Sequence, residues 1–597
     1  MKIKCVIAFL VLILAMPTHG MSKEVILSSI SSHPLLSQRS LNQRNVTYVI
    51  MSNFDLQGKQ ILVPSGCKIK FSRGSISNGV LVGQETLLDS DEPFLGSDIY
   101  VKGCITSKEI NRDTEIFITV RHNQQEIQNL INLSRPNVKT IVSKGTFRDV
   151  DTILLTSDID IDFSNSVLMS RIDINKCSSP FFFMEPWVDS KIITIAIRNV
   201  YLDGKIPSYD VRDQVGGNGE RRRAIQIFNV DNVLLDNVNL SNFWYGTEGK
   251  FSKDLKKRFE LSEVAIMNSI KCTIRNCSLT AGRGDGFKVV PKNSNDNYTE
   301  FVGNHIYKYY GSSFEIVDGK CLIRDNIIED FNGSALNAFC YDSEICNNIF
   351  KNGQRSCGID LTEGEYYYAD NVIIHDNIQY GGKEGFCEIC GQGIIVQNNT
   401  YNGGGTFCRV LHGYITDKAL FDNIRTYSIT DKVGIIISSN YASGVNYGVE
   451  TNYNNIDINI YNIEITDNTF TLKDDLTNEN EKGNSILLRG VHNIRICTNN
   501  FNNCLGSIMS PKSSNWITLF NCAGILKIED NTFTHNEKLV YYPTNAFVTT
   551  GAKNSFSEIS FKKNKSTVKR SAPRVNALIL QSGRKWTVNV NENSGVR

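Results

Sequence analysis

Leu322-Ile323-Arg324-Asp325-Asn326-Ile327-Ile328 decides the fold, because the chain keeps returning to it. A short apolar strand runs into a polar corner holding asparagine and leaves as a second apolar strand. The same pattern reads Thr273-Ile274-Arg275-Asn276-Cys277-Ser278-Leu279, Glu344-Ile345-Cys346-Asn347-Asn348-Ile349-Phe350 and Ile465-Thr466-Asp467-Asn468-Thr469-Phe470. Aligned on one asparagine, the returns fall at Asn199, Asn237, Asn276, Asn304, Asn326, Asn348, Asn377, Asn399, Asn423, Asn468, Asn500, Asn531 and Asn564. The steps are 38, 39, 28, 22, 22, 29, 22, 24, 45, 32, 31 and 33 residues, so 22 is the shortest coil and longer steps carry insertions.

A coil of 22 residues suits three short strands joined by turns. Leucine-rich repeats need a leucine lattice and a helical side, and propeller blades need roughly twice the length. Asparagine tolerates the left-handed backbone of a tight corner, and its side-chain amide can bond to the next coil. Coils stacked about 4.8 Å apart would set these amides in a ladder. The pattern predicts an all-β, right-handed parallel β-helix of roughly thirteen coils.

The remaining composition agrees with an exported globular chain. In 597 residues, 63 basic side chains face 62 acidic ones, so no polybasic footprint marks a nucleic-acid binder. At 41% hydrophobic and 21% charged, the sequence is not globally disordered. Lys2 and Lys4 precede an apolar run from Val6 to Met16, a signal-peptide pattern with the expected cleavage after Gly20. That run is too short for a stable membrane anchor, and no later segment approaches a transmembrane span. The expectation is a periplasmic or secreted protein. Export permits disulfides, but most cysteines sit in alternating apolar segments such as Phe386-Cys387-Glu388-Ile389 and Phe407-Cys408-Arg409-Val410. Buried thiols are the reading there. Cys387 and Cys390 form a CxxC that lacks a second pair to complete a zinc site.

Asn123-x-x-Glu126 before Ile127, Leu130 and Ile131 reads as a capped, short amphipathic helix. Thr140-Ile141-Val142-Ser143-Lys144-Gly145-Thr146-Phe147, Thr152-Ile153-Leu154-Leu155 and Ile159-Asp160-Ile161-Asp162-Phe163 follow. Helix, strand, Gly-Thr-aromatic and stacked strands in this order resemble the opening of the pectate-lyase-like right-handed β-helix superfamily. The resemblance covers residues 116–597. It implies the fold and, in its carbohydrate-active branch, a polysaccharide as ligand or substrate. It does not select an activity, because the superfamily spans lyases, hydrolases, esterases, tailspikes and adhesins. Residues 21–115, with glycine-punctuated short strands such as Gly74-Ser75-Ile76-Ser77-Asn78-Gly79, read as a β-rich N-terminal cap.

Alternation then writes a site. In Gly286-Phe287-Lys288-Val289, Ser313-Phe314-Glu315-Ile316, Ala335-Leu336-Asn337-Ala338, Gly358-Ile359-Asp360-Leu361, Phe386-Cys387-Glu388-Ile389 and Phe407-Cys408-Arg409-Val410, apolar neighbours point inward. Lys288, Glu315, Asn337, Asp360, Glu388 and Arg409 must point outward, about one coil apart. The ordinary alternative is a solvated face whose opposite charges pair between coils. Against it, serine and threonine are absent from these positions and three are carboxylates. Insertions at Lys205–Arg223, Gly246–Glu263 and Ser439–Asn455 are placed to wall a groove. The first contains Arg221-Arg222-Arg223, a plausible contact for an acidic saccharide.

Asp360 and Glu388 on adjacent coils should lie about 5 Å apart, and Glu315 and Asp360 about 10 Å. The first distance suits a retaining glycosidase pair, and the second lies slightly beyond the inverting range. Two carboxylates about 5 Å apart at an effective dielectric near 20 repel by about 3 kcal/mol, which would leave one as a general acid. Superfamily lyases imply a second scheme: Lys288 or Arg409 as base, with Glu315, Asp360 and Glu388 holding calcium. Arg283, Asp285, Glu363 and His412 flank the stripe as substrate contacts, together with Glu315 and Asn337. Gly282-Arg283-Gly284-Asp285-Gly286 is an Asp-Gly turn of the kind found near β-helix active sites. Trp244-Tyr245 and Tyr366-Tyr367-Tyr368 offer aromatic faces for sugars. The two-aspartate and Gly-His-Gly signatures of polygalacturonase-type hydrolases are absent, as are phosphate-loop, nucleotide and serine-protease patterns. The sequence therefore expects a polysaccharide lyase or glycoside hydrolase, with a non-catalytic glycan-binding or adhesive solenoid as the competing class.

Overall fold

A computed structural model describes residues 23–31, 34–88, 99–107, 116–118, 128, 131, 140–170 (less 143, 151, 156 and 157), 182–183, 192–206, 224–243, 262–362 (less 284, 293–295, 355 and 356), 369–411, 434–451, 460–473, 484–503, 516–535, 548–550, 554–566, 578–580 and 588–591. The signal-peptide segment, Arg221–Arg223, Trp244-Tyr245 and Tyr366–Tyr368 lie outside the described residues. Two compact units divide the chain, Met1–Ser166 and Val167–Arg597.

The second unit is the expected right-handed parallel β-helix. Each strand pairs in parallel with its counterpart one coil later: Lys271–Arg275 with Tyr298–Val302, and that strand with Cys321–Arg324. Alternation buries one side of every strand. Phe287 and Phe314 stack inside at 5.6 Å between ring centroids, Phe386 and Phe407 at 5.2 Å, and Phe501 and Phe533 at 5.1 Å.

The asparagine ladder is present, but corner and ladder are successive residues. Asp325, Asn347, Asp376, Asn398, Ser439, Asp467, Thr498, Asp530 and Lys563 carry the left-handed φ, between 54° and 58°. The next residue in each case is the buried asparagine: Asn326, Asn348, Asn377, Asn399, Asn440, Asn468, Asn499, Asn531 and Asn564, with Asn304 following Gly303. Each ladder amide is fully used. Asn348 Nδ2 donates to Asn377 Oδ1 and to the Ile323 carbonyl at 2.9 Å each. Its Oδ1 accepts from the Asn326 backbone at 3.1 Å and from Asn326 Nδ2 at 2.9 Å. Buried polar groups survive in an apolar core only when so paired, each bond contributing about 1 kcal/mol net.

This geometry corrects the alignment. Asn199, Asn237 and Asn276 are corner residues, and Val200, Val238 and Cys277 occupy the ladder position behind them. Asn499 rather than Asn500 is the ladder residue, donating to Asn531 Oδ1 at 3.1 Å. Asn399 bonds directly to Asn440 at 3.1 Å, 41 residues on, so Asn440 takes the place given to Asn423, which lies outside the described residues. The expected Ser439–Asn455 insertion is mostly strand, Tyr441–Val445 and Tyr447–Thr451. The long segment of that coil, 412–433, lies outside the described residues, as do 207–223 and 244–261.

The first unit is β-rich, as expected, and its strands stack in parallel. Glu24, Thr47, Lys68 and Leu87 are successive register partners. Asn53–Asp55 pairs with Ser75–Ser77, and Gln60–Leu62 with Gly79–Leu88, which also pairs with Ile99–Ser107. Its own apolar core gathers Tyr48, Ile50, Ile61, Val63, Ile69, Ile76 and Leu81. Gly66, at φ 70°, is required at one corner, since a Cβ there would lie 2.1 Å from Asn45 Oδ1. Ile116–Ile118 pairs with Thr140–Val142, and Thr140 with Ile161. Of the expected short helix, Gln128 and Ile131 are described and both are helical. Gln128 bonds to the Leu154 backbone through both ends of its amide, at 2.8 and 2.9 Å.

Candidate functional site

The six polar residues form one row. Lys288 is the register partner of Glu315, Glu315 of Asn337, Asn337 of Asp360, Asp360 of Glu388 and Glu388 of Arg409. Their flanking residues form the inward rows, Phe287, Phe314, Leu336, Ile359, Cys387 and Cys408 on one side. Gly286 opens the first of these strands for lack of space: a Cβ would sit 2.5 Å from the Ser313 carbonyl oxygen. Sequence reasoning missed the next member. Glu450 follows Arg409 in register, and the row becomes apolar at Leu487.

One end of the row is closed. Lys288 and Glu315 are 5% and 3% exposed, with Nζ 2.6 Å from Oε1 and 3.6 Å from Asp285 Oδ2. The other end is open: Asn337, Asp360, Glu388, Arg409 and Glu450 are half-buried. Arg409 Nη1 donates to Glu388 Oε1, and its Nε lies 3.5 Å from Glu450 Oε2. Thr406 Oγ1 also donates to Glu450, at 3.3 Å. Burial works against the Arg409 charge, but Glu388 and Glu450 outweigh it and raise its pKa. A guanidinium held this way is a poor proton acceptor.

Asp360 differs from its neighbours. Burial first, and the charge of Glu388 second among the raising causes, push its carboxyl up to about 7. Carboxylate crowding, the cause expected from the sequence, is therefore the lesser one. Opposing this, Asp360 Oδ1 accepts from the Thr362 backbone at 2.8 Å and from Thr362 Oγ1 at 2.7 Å. Oδ2 accepts only from Ser334 Oγ, at 3.2 Å, among the described contacts. The doubly held oxygen fixes the carboxyl, and the loosely held one is suited to carry a transferable proton. Beside it, Asn337 Oδ1 is buried without a hydrogen-bond partner among the described residues.

The calcium arrangement suggested by the sequence does not fit. Glu315 is taken by Lys288 and is separated from Asp360 by Asn337. The group that does converge is Cys357 Sγ with one oxygen each of Asp360 and Glu388, all within 4.8 Å of one another. A thiol is a poor ligand for a hard, oxygen-seeking cation, and Arg409 already neutralises Glu388. Of the flanking residues, Asp285 faces Lys288. Arg283 ends the strand Ser278–Arg283, but its side chain lies outside the described residues, as do Glu363 and His412. The described cysteines, Cys387 and Cys390 among them, are free and buried. No helix among the described residues is long and apolar enough to cross a membrane.

No protein-family model matches the chain, and no curated protein does. Among solved structures, the A-module of a mannuronan C-5 epimerase from Azotobacter vinelandii aligns at 13% identity and a TM-score of 0.28, covering 82% of this chain and 90% of that one. A mutant tailspike protein of E. coli bacteriophage HK620, in complex with a pentasaccharide, aligns at 11% identity and a TM-score of 0.28, covering 82% and 71%.

Proposed function

We propose that this chain is an exported carbohydrate-active protein that cleaves a polysaccharide along the open end of the stripe, as a glycoside hydrolase. The carrying observation is the Asp360–Glu388 pair: one carboxyl held neutral up to about pH 7, the other ion-paired with Arg409, with oxygens within 4.8 Å. Neighbouring carboxyls whose environments drive them apart are the pattern of an acid and its ionised partner. The short separation favours the retaining geometry. Asp360 protonates the glycosidic oxygen as Glu388 attacks the anomeric carbon, so that the glycosidic C–O bond breaks and a glycosyl ester forms that water later hydrolyses to free Glu388. Asp360, now a carboxylate, then takes a proton from the incoming water. Asn337 offers its amide to a sugar hydroxyl, and Asp285, Arg283, Glu363 and His412 supply outer contacts.

A lyase using Lys288 or Arg409 as base is less favoured, because each cation is already ion-paired. The test is incubation with neutral and uronate-containing glycans, following new reducing ends and the ultraviolet absorbance of unsaturated ends. Reducing ends alone support hydrolysis, and unsaturated ends establish the lyase instead. Measurable glycan affinity without cleavage would leave a binding or adhesive solenoid.

A further inference from the structure

The strand Leu336–Cys346 begins on the stripe at Asn337 and ends elsewhere on the coil, at Glu344 and Cys346. Cys346 is the register partner of His375. Glu344 and Cys346 project from the same side of their strand, two residues apart, so both face His375 on the next coil. A carboxylate oxygen, Sγ and a ring nitrogen of these residues lie within 4.8 Å of one another. His375 Nε2 is 2.9 Å from Glu344 Oε1, and Nδ1 is 2.6 Å from Asp376 Oδ2.

The second contact separates this cluster from an ordinary surface ion pair. A metal-binding histidine commonly donates its other ring N–H to a carboxylate, which fixes the tautomer and turns the free nitrogen lone pair on the metal. Asp376 is placed to do this, leaving Nε2 directed towards Glu344. Arg324, the register partner of Cys346 on the preceding coil, is drawn to Asp325 at 2.5 Å. The cluster is half open: Cys346 is buried, His375 half-buried and Glu344 exposed.

We infer that Glu344, Cys346 and His375 form a binding site for a zinc-class divalent transition metal, with Asp376 orienting the imidazole. One thiolate, one imidazole and one carboxylate suit a borderline-soft ion and leave a fourth position for water. Calcium and magnesium, which require oxygen ligands, are not accommodated. Binding displaces the Cys346 thiol proton and the His375 Nε2 proton to solvent, and replaces the His375–Glu344 contact by two metal bonds. The bound ion would join the coil that carries Asn337 to the coil that carries Asp360.

Titration of metal-stripped, untagged full-length chain with cobalt(II) tests this directly. One equivalent should produce a thiolate-to-cobalt charge-transfer band with tetrahedral visible absorption, and zinc should displace it. Cys346→Ser should abolish the band. His375→Gln should weaken zinc at least about 10-fold, and Asp376→Asn by about 10-fold. Calcium should not compete. Unchanged circular dichroism separates lost ligation from lost fold. The absence of a one-equivalent band overturns the proposal, and so does a band that survives either Cys346→Ser or His375→Gln.

Discussion

At one end of the stripe Lys288 and Glu315 are 5% and 3% exposed and 2.6 Å apart, whereas Asp360, Glu388, Arg409 and Glu450 keep part of their surface in solvent. The two ends use the same residue types on the same face. The buried pair satisfies both charges internally and has no group left to offer a substrate. The open end distributes its charges unevenly: Arg409 serves two carboxylates, and Asp360 has no cation partner among the described residues. Polarity on a solenoid face is therefore not itself a site. An ionisable group denied its ordinary partner is the better indicator.

The sharpest way to break the contrast is Asp360→Asn. The amide keeps the shape and the Ser334 and Thr362 contacts but cannot deliver a proton. Cleavage should fall about 10²–10⁴-fold, the range of a lost general acid, while the melting temperature holds or rises. Equal activity in the variant would remove Asp360 from the mechanism.

Lys288→Met should act the other way, on stability first. It removes the cation 2.6 Å from the buried Glu315 carboxylate, and breaking a buried ion pair from one side costs about 3–5 kcal/mol. Lys288→Met combined with Glu315→Leu should recover most of that loss in urea denaturation. Failure of the double variant to recover would mean that the pair does more than neutralise itself.

A smaller effect concerns pH. Asp360 is raised from 3.8 to about 7 in the folded chain. The folded state thus holds a proton that the unfolded state has released across that window. Its contribution to stability is complete below about pH 4 and declines as pH rises to about 7, by up to about 4 kcal/mol. The stability difference between wild type and Asp360→Asn should follow this curve, and the wild-type activity should lose its acid form near pH 7. A difference flat from pH 4 to 8 would refute the raised carboxyl.

The stripe was legible because alternation is a local rule: an apolar residue on each side of Asp360 or Glu388 fixes their direction without any knowledge of the neighbouring coil. The register between coils was most legible where coils are short, as from Asn304 to Asn326 to Asn348, and held again at Asn468, Asn531 and Asn564. Beyond Asn399 the segment 412–433 intervenes, and the asparagine pattern points to Asn423 where the ladder uses Asn440. Glu450 was lost with that shift. The N-terminal coils were illegible for another reason. Their left-handed corners include Gln57, Arg73 and Gly66 beside Asn45 and Asn78, so no single residue type marks the repeat. The Glu344–Cys346–His375 cluster was hidden because Cys346 and His375 meet only through the pairing of two coils.

Glu450 supplies the mildest test of the contrast. Its carboxylate is the second partner of Arg409, at 3.5 Å, and keeps part of its surface in solvent. The contact is long and Arg409 keeps its closer partner Glu388, so Glu450→Gln should move the melting temperature little. Arg409 would then bind Glu388 alone. Because Arg409 positions the ionised carboxylate beside Asp360, kcat should fall by about 2–5-fold with KM little changed. Glu450→Asp, which keeps the charge on a shorter stem, should recover part of the loss, as a merely structural role would not predict. A rise in KM without a change in kcat would instead place Glu450 in contact with the glycan, extending the open end of the stripe by one coil.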